Sequence, residues 1–204
     1  GEASSTAMAL YLPRLGGVLA ACPMDESVTY KALEDLASAE PVEDVDASID
    51  GGDLVLFADD DAVRIARGVN TLQTITGDLT EDMKKIAVVE AMDLIRDDIT
   101  ATFRKDYRGK YKNTTANQML FLAVVNGYFR DLGDENVLDP TYDNTAAVDV
   151  TSQRNAWIDS GKAEAVDWDD GKVIATPYKR KVFLGGDVKI LGSMTDLKFV
   201  VTLM

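Results

Sequence analysis

Histidine is absent from the 204 residues of this chain, and cysteine occurs only once. Without histidine, neither a Ser-His-Asp triad nor an HExxH zinc site can form, and the usual general base of neutral pH is missing. The single thiol, Cys22, has no intramolecular disulfide partner, and we expect it to be a buried, small apolar residue. Catalysis that depends on histidine is therefore excluded, and a lone thiol without a histidine partner is a poor catalytic candidate.

Long apolar runs and phosphate-binding glycine motifs are also missing. No run approaches the roughly 18 apolar residues that span a bilayer. Residues 7–21 are apolar, but Pro13, Arg14 and Gly16-Gly17 interrupt them and no basic segment precedes them, so they are not typical of a signal peptide. The opening GEASSTAM is typical of a chain that begins inside a domain. Gly51-Gly52 and Gly185-Gly186 match neither GxGxxG nor the P-loop pattern.

Basic residues are few, with 21 Lys and Arg against 35 Asp and Glu, for a net charge of −14. Such a chain repels phosphate backbones, so we expect no nucleic-acid partner. Eleven acids and no base lie between Lys31 and Arg64, whereas residues 161–204 carry seven bases and six acids. A tail whose positive and negative charges nearly balance suits docking onto the acidic face of another copy. The alternative is that the acidic surface only keeps the protein soluble.

Residues 51–74 contain the most informative pattern of the chain. Two short apolar runs, residues 53–58 and 62–66, flank Asp59-Asp60-Asp61, which predicts a hairpin with an acidic turn. A tight Gly-Val-Asn-Thr-Leu corner follows and carries no catalytic group. Two long helices come next, the first with Thr80 as N-cap and the second over residues 115–132, which we expect to be buried between layers.

After Asp139-Pro140 the pattern favours strands. The candidates are residues 146–150, 164–168, 172–177, 181–191 and 197–203, with a tight turn at Gly171. The last of these, LKFVVTL, has few charges and can pair in its own sheet or in that of a neighbour. The fold class predicted overall is α+β, with a mixed, largely antiparallel sheet flanked by helices and a terminal strand suited to pairing between subunits.

Two acidic clusters leave other functions open. Asp59-Asp60-Asp61 and the group Asp167, Asp169 and Asp170 supply the hard oxygen ligands of divalent cations, which would suit a metal-dependent hydrolase. No EF-hand spacing completes either cluster, so exposed acidic turns explain them more simply, and we expect neither a metal nor a cofactor. A monovalent, adhesin-like binding domain is a further alternative, and it would expose an apolar or aromatic patch.

An ordered set of short motifs extends over nearly the whole chain. The motifs before the long helices are Leu10, Gly16-Gly17, Ser27-Val28-Thr29-Tyr30-Lys31, Gly51-Gly52, Val63-Arg64-Ile65 and Arg67-Gly68-Val69-Asn70-Thr71-Leu72. Those that follow are Lys85-Ile86 with Asp93, Tyr111 with Asn113, Asn117-Gln118, Asp149-Val150 and Met194-Thr195-Asp196-Leu197. Taken in this order, the motifs resemble those of the contractile tail sheath family of phages and prophages.

The resemblance implies a structural, non-enzymatic subunit that stacks in rings around a rigid tail tube and contracts without nucleotide. The contraction would drive the tube through the host envelope. Neighbouring subunits of such a sheath are joined by terminal arms that add strands to one another's sheets. The chain would comprise the end of the core domain, residues 1–76, and the C-terminal sheath domain, residues 77–204. It departs from the family pattern in lacking the N-terminal half with its arm.

The resemblance also implies the contact residues and the partners. The predicted inter-subunit strand comprises Leu197, Phe199, Val200, Val201 and Leu203, and the predicted docking run comprises Lys179, Arg180 and Lys181. A solvated strand end explains that run more simply, and docking against the tube or an acidic surface of a neighbour is the alternative. The partners would be other copies of the chain, the tail tube protein and the baseplate, with no membrane insertion. The location would be the virion tail, after assembly in the bacterial host cytoplasm.

Overall fold

The computed structural model describes residues 2–202. In the central strand of its first sheet, successive side chains alternate between the two faces of the sheet. Val63 and Ile65 are 2% and 0% exposed, and Arg64 between them points to the other face. Strand β3 (Val63–Ile65) pairs antiparallel with β2 (Leu56–Ala58) and with β1 (Ala32–Leu33), in the order β1-β3-β2. The predicted hairpin with an acidic turn is therefore confirmed.

Helix α1 (Glu2–Ala20) covers this sheet and continues through Pro13. Leu15 is buried in the core between the helix and the sheet, whereas Leu12 is 57% exposed. Cys22 is only half-buried at the edge of this core, so our expectation of full burial was wrong. The buried core residues are Leu15, Val28, Leu33, Leu56, Val63 and Ile65.

The corner after β3 is held by backbone and amide contacts. A Cβ at Gly68 would lie 2.7 Å from Cγ2 of Val28, so only glycine fits there. The side chain of Asn70 donates to the carbonyl of Met83 at 2.7 Å and accepts from the amide of Leu72 at 2.9 Å. These contacts hold the corner against a 3-10 turn, Glu81–Lys84, that precedes the first long helix. A short helix, α2 (Val45–Asp50), lies earlier in the same unit, capped by Asp44.

Two long helices follow, as predicted, but Thr80 is not the N-cap of the first, because it precedes the 3-10 turn without a capping side-chain hydrogen bond and the helix begins at Ile86. Helix α3 (Ile86–Thr102) continues into a π-helical turn, Phe103–Tyr107, and helix α4 spans Thr115–Asp134. The expectation that α4 is buried around its circumference was wrong, because Met119, Leu120 and Val124 are 41%, 48% and 44% exposed. Its opposite face is buried and comprises Gln118, Phe121, Leu122, Val125, Phe129, Leu132 and Gly133.

The region after Pro140 contains fewer strands than the sequence predicts. Strand β4 (Thr145–Val148) pairs antiparallel with β5 (Leu184–Asp187), while helices α5 (Val150–Asp159) and α6 (Asp170–Ile174) and a 3-10 turn, Ala163–Asp167, lie between them. The strands predicted over residues 164–168 and 172–177 were therefore wrong. Asp169 explains the second difference, because its side chain accepts from the amide of Lys172 and so begins α6, whereas residues 163–167 form a 3-10 turn without a side-chain cap.

The chain forms two compact units, Gly1–Met92 with Gly192–Met204, and Asp93–Leu191. The helices and antiparallel sheets confirm the predicted α+β class. Residues 191–202 form no regular secondary structure within the described chain, and Leu203 lies outside the described residues. The terminal strand therefore remains a prediction about pairing with another copy, since these residues pair in neither sheet described here.

Candidate assembly surface: a sheet edge and the terminal segment

The β4–β5 sheet has two edges, and its register determines which backbone groups lie on each. The amide of Asp149 donates to the carbonyl of Phe183 at 3.0 Å, which makes these residues a hydrogen-bonded pair. Such pairs alternate along an antiparallel ladder, so Ala147 with Gly185 forms the next one. The backbone groups of Ala146 on β4, and of Leu184 and Gly186 on β5, therefore point away from the partner strand.

Asn126 of α4 closes the outer edge of β4. Its side-chain nitrogen donates to the carbonyl of Ala146 at 3.2 Å, and its side-chain oxygen accepts from the amide of Ala146 at 2.7 Å. One side-chain amide thus reproduces both hydrogen bonds of a paired strand residue. No third strand can pair at Ala146 while Asn126 occupies this position.

The outer edge of β5 remains open. Gly185, Gly186 and Asp187 are exposed, and Leu184 is half-buried. The backbone groups that Leu184 and Gly186 turn outward have no hydrogen-bond partner in the described part of the chain. A Cβ at Gly186 would lie 3.3 Å from the ring of Phe129, so glycine lets β5 pack closely on α4. This edge has the properties of a strand acceptor.

A network of hydrogen bonds and one ion pair around Asp139 holds the residues that follow β5. The amide of Asp139 donates to the carbonyl of Lys189 at 2.7 Å, and the ammonium of Lys189 lies 2.9 Å from the carboxylate of Asp139. The carboxylate also accepts from the hydroxyl and the amide of Thr141 at 2.7 and 2.9 Å. Hydrogen bonds from Lys189, then from Thr141, lower the pKa of Asp139 to about 2. An ionised Asp139 therefore fixes residues 189–191 beside Leu138.

The terminal segment, residues 191–202, is apolar and uncovered. Leu197, Phe199, Val200 and Val201 are 89%, 78%, 71% and 74% exposed. Within the first unit, Arg67 forms two hydrogen bonds to the carboxylate of Asp196, at 2.7 and 3.2 Å. The hydrogen bond from Arg67 is the main cause of the lowered pKa of Asp196. This ion pair fixes the point from which the four exposed apolar residues extend.

The basic run lies in a turn. The side-chain nitrogen of Asn113 lies within 3.3 Å of the carbonyls of Tyr178 and Lys179 and 3.0 Å from that of Lys181. Lys179 has a positive φ of 43°, and Lys179, Arg180 and Lys181 are all exposed. Their three charges form no ion pair within the described residues.

The acidic clusters have structural roles. Arg64 lies 3.1 Å from Asp59 and 2.8 Å from Asp61, and Tyr30 also donates to Asp59. Asp169 caps α6, and Asp170 accepts from Arg154 at 2.6 Å. Among the described residues, no three acidic or cysteine side chains are grouped in a way that suits a metal ion. None of the helices described is long and apolar enough to cross a bilayer.

Comparison with known proteins assigns this architecture to a family. Residues 78–202 match the sequence model of the phage tail sheath C-terminal domain. A tail sheath protein of Clostridium phage phiCD119 is 32% identical over 146 residues, which cover 71% of this chain and 40% of that protein. The chain belongs to the phage tail sheath family.

Two solved structures share the fold. The sheath tail protein of Desulfitobacterium hafniense superposes with a TM-score of 0.57 at 23% identity, covering 66% of this chain and 33% of its own. The sheath tail protein of Listeria innocua gives 0.55 at 20% identity, covering 68% and 35%. The chain thus matches about two fifths of the curated relative and about a third of each solved structure.

Sequence reasoning missed the closure of the β4 edge by Asn126. The signal was present, because Asn126 falls among Leu122, Val125 and Phe129 on the buried stripe of α4. A polar side chain at such a position needs a partner within the fold. The helical spacing identifies the need, but the partner, Ala146, is 20 residues away and is apparent only in three dimensions.

Replacing Asn126 with alanine should destabilise the second unit by about 1–3 kcal/mol, because both backbone groups of Ala146 lose their partner. Asn155→Ala, at an exposed position on α5, is the matched control and should change stability little. Urea unfolding gives the free energies, and amide exchange should show lost protection at Ala146 with protection retained at Gly185. Equal protection of Ala146 in both proteins would refute the closure.

Replacing Asp139 with asparagine should lower the stability of the fold at neutral pH and make that stability less dependent on pH in the acid range. The lowered pKa of Asp139 means that the carboxylate stabilises the fold above its ordinary pKa of 3.8 and loses this effect as pH falls through about 2. The difference between wild type and Asp139→Asn in urea midpoint should therefore shrink between neutral pH and pH of about 2. Asp143→Asn, in the same loop, serves as control, and a constant difference for Asp139→Asn would contradict the account.

Proposed function

We propose that the chain is a structural part of a contractile tail sheath, which polymerises around the tail tube and contracts to drive it through the host envelope. The single observation that carries this proposal is that one chain has both an open strand edge and an exposed apolar segment. The β5 edge offers unpaired backbone groups, and the terminal segment offers exposed apolar residues that have no cover of their own. Copies would be joined when the terminal segment of one adds a strand to β5 of the next.

The composition of the terminal segment supports strand addition. In an extended conformation, Leu197, Phe199 and Val201 would lie on one face, with Lys198 and Val200 on the other. Each of these four apolar residues is at least 71% exposed in the single chain, and contiguous exposed apolar surface of this kind is typical of an interaction site. The partner sheet would bury this surface while its edge satisfies the backbone.

Ion pairs and charge would add a second kind of contact. The basic run Lys179, Arg180 and Lys181 would dock against the tube or against an acidic surface of a neighbouring copy. The other partners would be the tail tube protein and the baseplate. The site of action would be the virion tail, with assembly in the host cytoplasm, and neither a cofactor nor catalysis would take part.

We also propose that the chain divides functionally at residue 76. Residues 1–76 would close the sheath core domain, and residues 77–204 would form the C-terminal sheath domain. The start of the family match at residue 78 supports this division, although the two compact units divide within α3.

Removing residues 196–204 from the full-length protein should prevent polymerisation, because it removes the strand that would be donated. Negative-stain microscopy should reveal tubes or rings for the intact protein and only discrete particles for the truncated one. The double substitution Lys198→Ser and Thr202→Ser keeps the apolar residues and should still assemble. Tubes formed by the truncated protein would refute the role of the terminal segment.

Replacing Leu184 with proline should block assembly from the acceptor side, since it removes an amide that points outward from β5 without breaking the β4–β5 ladder. Leu184→Ala is the matched control, because it shortens the same side chain and keeps the amide. Both monomers should melt at similar temperatures, and only Leu184→Pro should fail to form tubes. Assembly by both variants would show that β5 is not the acceptor.

A further inference from the structure

A cavity of about 200 Å³ lies in the second unit, at the end of helix α3. Four aromatic rings surround it. The ring of Phe121 is 5.4 Å from that of Phe103 and 4.6 Å from that of Tyr107, and Tyr111 is 5.2 Å from Tyr107. An apolar cavity of about 150 Å³ is large enough to hold benzene, so this one can accept an aliphatic side chain.

The π-helical turn Phe103–Tyr107 builds the cavity wall. The amide of Arg108 donates to the carbonyl of Phe103 at 2.8 Å, which is the five-residue spacing of a π-helix. The wider turn places Phe103 and Tyr107 on the same side, both against Phe121. A π-turn is less favourable than an α-helical one and is found mostly where a function retains it.

The charges around the cavity are unusual for this chain. Arg108, Lys112 and Arg180 line it together with no acidic residue, in a protein that carries 35 acids and 21 bases. None of these three cations forms an ion pair within residues 2–202. An apolar cavity with an unpaired basic rim favours an apolar side chain flanked by carboxylates.

A buried polar group in the same wall is also without a partner. Gln118 is 3% exposed, and its side-chain nitrogen donates to the side-chain oxygen of Asn113 at 2.8 Å. The nitrogen of Asn113 is used by the carbonyl of Lys181, so the orientation of both amides is fixed. The side-chain oxygen of Gln118 therefore accepts no hydrogen bond among the described residues, but it is enclosed within the cavity wall and so does not contribute to binding an incoming segment.

We propose that this cavity receives the acidic loop of residues 40–44 from a second copy of the chain. The loop reads Glu-Pro-Val-Glu-Asp, and all five residues are exposed. Val42 would enter the aromatic cavity, and Glu43 would lie against the basic rim. Pro41 restricts the backbone of the loop, so less conformational entropy is lost on binding than for a flexible segment.

The region around the loop strengthens the match in charge. Eleven acids and no base lie between Lys31 and Arg64, so the whole surrounding stretch is negative. The inference rests on the proposed function in that it assumes copies of the chain meet in the assembly. It adds a contact formed by side chains to the backbone pairing at β5.

The test uses a fluorescent peptide of residues 38–46, SAEPVEDVD. Fluorescence anisotropy measures its binding to the full chain. The protein is kept at concentrations where sedimentation gives a single monomeric species. Saturable binding that weakens with added salt is the expected result. Peptides with Val42→Asp or Glu43→Gln should bind more weakly, because one loses the apolar contact and the other the charge. Failure to saturate, or equal binding of the Val42→Asp peptide, would overturn the proposal.

Two protein variants locate the binding at the cavity. Arg108→Glu should weaken binding about tenfold, since it replaces an attraction with a repulsion. Lys110→Glu makes the same charge change two residues away, outside the cavity lining, and should have little effect. Equal losses in both variants would mean that general surface charge explains the binding, which would overturn the assignment to the cavity.

Two further outcomes separate this inference from the proposed function. A peptide of residues 194–202 that binds the cavity as tightly would make the terminal segment its occupant and overturn the choice of the acidic loop. If the acidic peptide does not bind but tubes form normally, the inference about the cavity is overturned and the proposed function is not. Normal peptide binding without any tube formation would uphold the inference and count against the proposed function.

Discussion

The hydrogen bonds between Asn126 and Ala146 determine which side of the small β4–β5 sheet can accept another strand. A two-stranded sheet has two edges and is marginal by itself, so each edge must be covered by the fold or by a partner. Here α4 covers the β4 edge with a single side-chain amide, and the β5 edge is left with exposed glycines. Under the proposed function, this asymmetry would give assembly a direction, because an added strand would have one place to pair.

The terminal segment is the complement of this edge. Its apolar side chains have no cover in the single chain, and its backbone pairs with neither described sheet. Conformational entropy opposes ordering of such a segment in isolation, and burial on a neighbouring copy offsets that cost. Under the proposed function, donor and acceptor would both be incomplete in a monomer and both be satisfied in a polymer.

The sequence predicts the parts whose signals are local. Val63 and Ile65 alternate with Arg64, and the strand they predict is present with both apolar residues buried. The strand expected over residues 172–177 failed because the carboxylate of Asp169 begins helix α6, and the one expected over residues 164–168 failed because those residues form a 3-10 turn. The helix α4 was predicted, but its exposed face at Leu120 depends on which neighbours cover it.

The assembly surface itself was predictable only in part. The apolar composition of residues 197–201 indicates a donor strand, whereas the acceptor depends on residues far apart in sequence, Asn126 with Ala146 and Phe129 with Gly186. The same holds for Asp196, whose partner Arg67 is 129 residues away. An exposed ion pair of this kind contributes little to stability. Its importance is therefore geometric, since two parallel hydrogen bonds to a guanidinium fix direction as well as distance, and so orient the segment that follows Asp196.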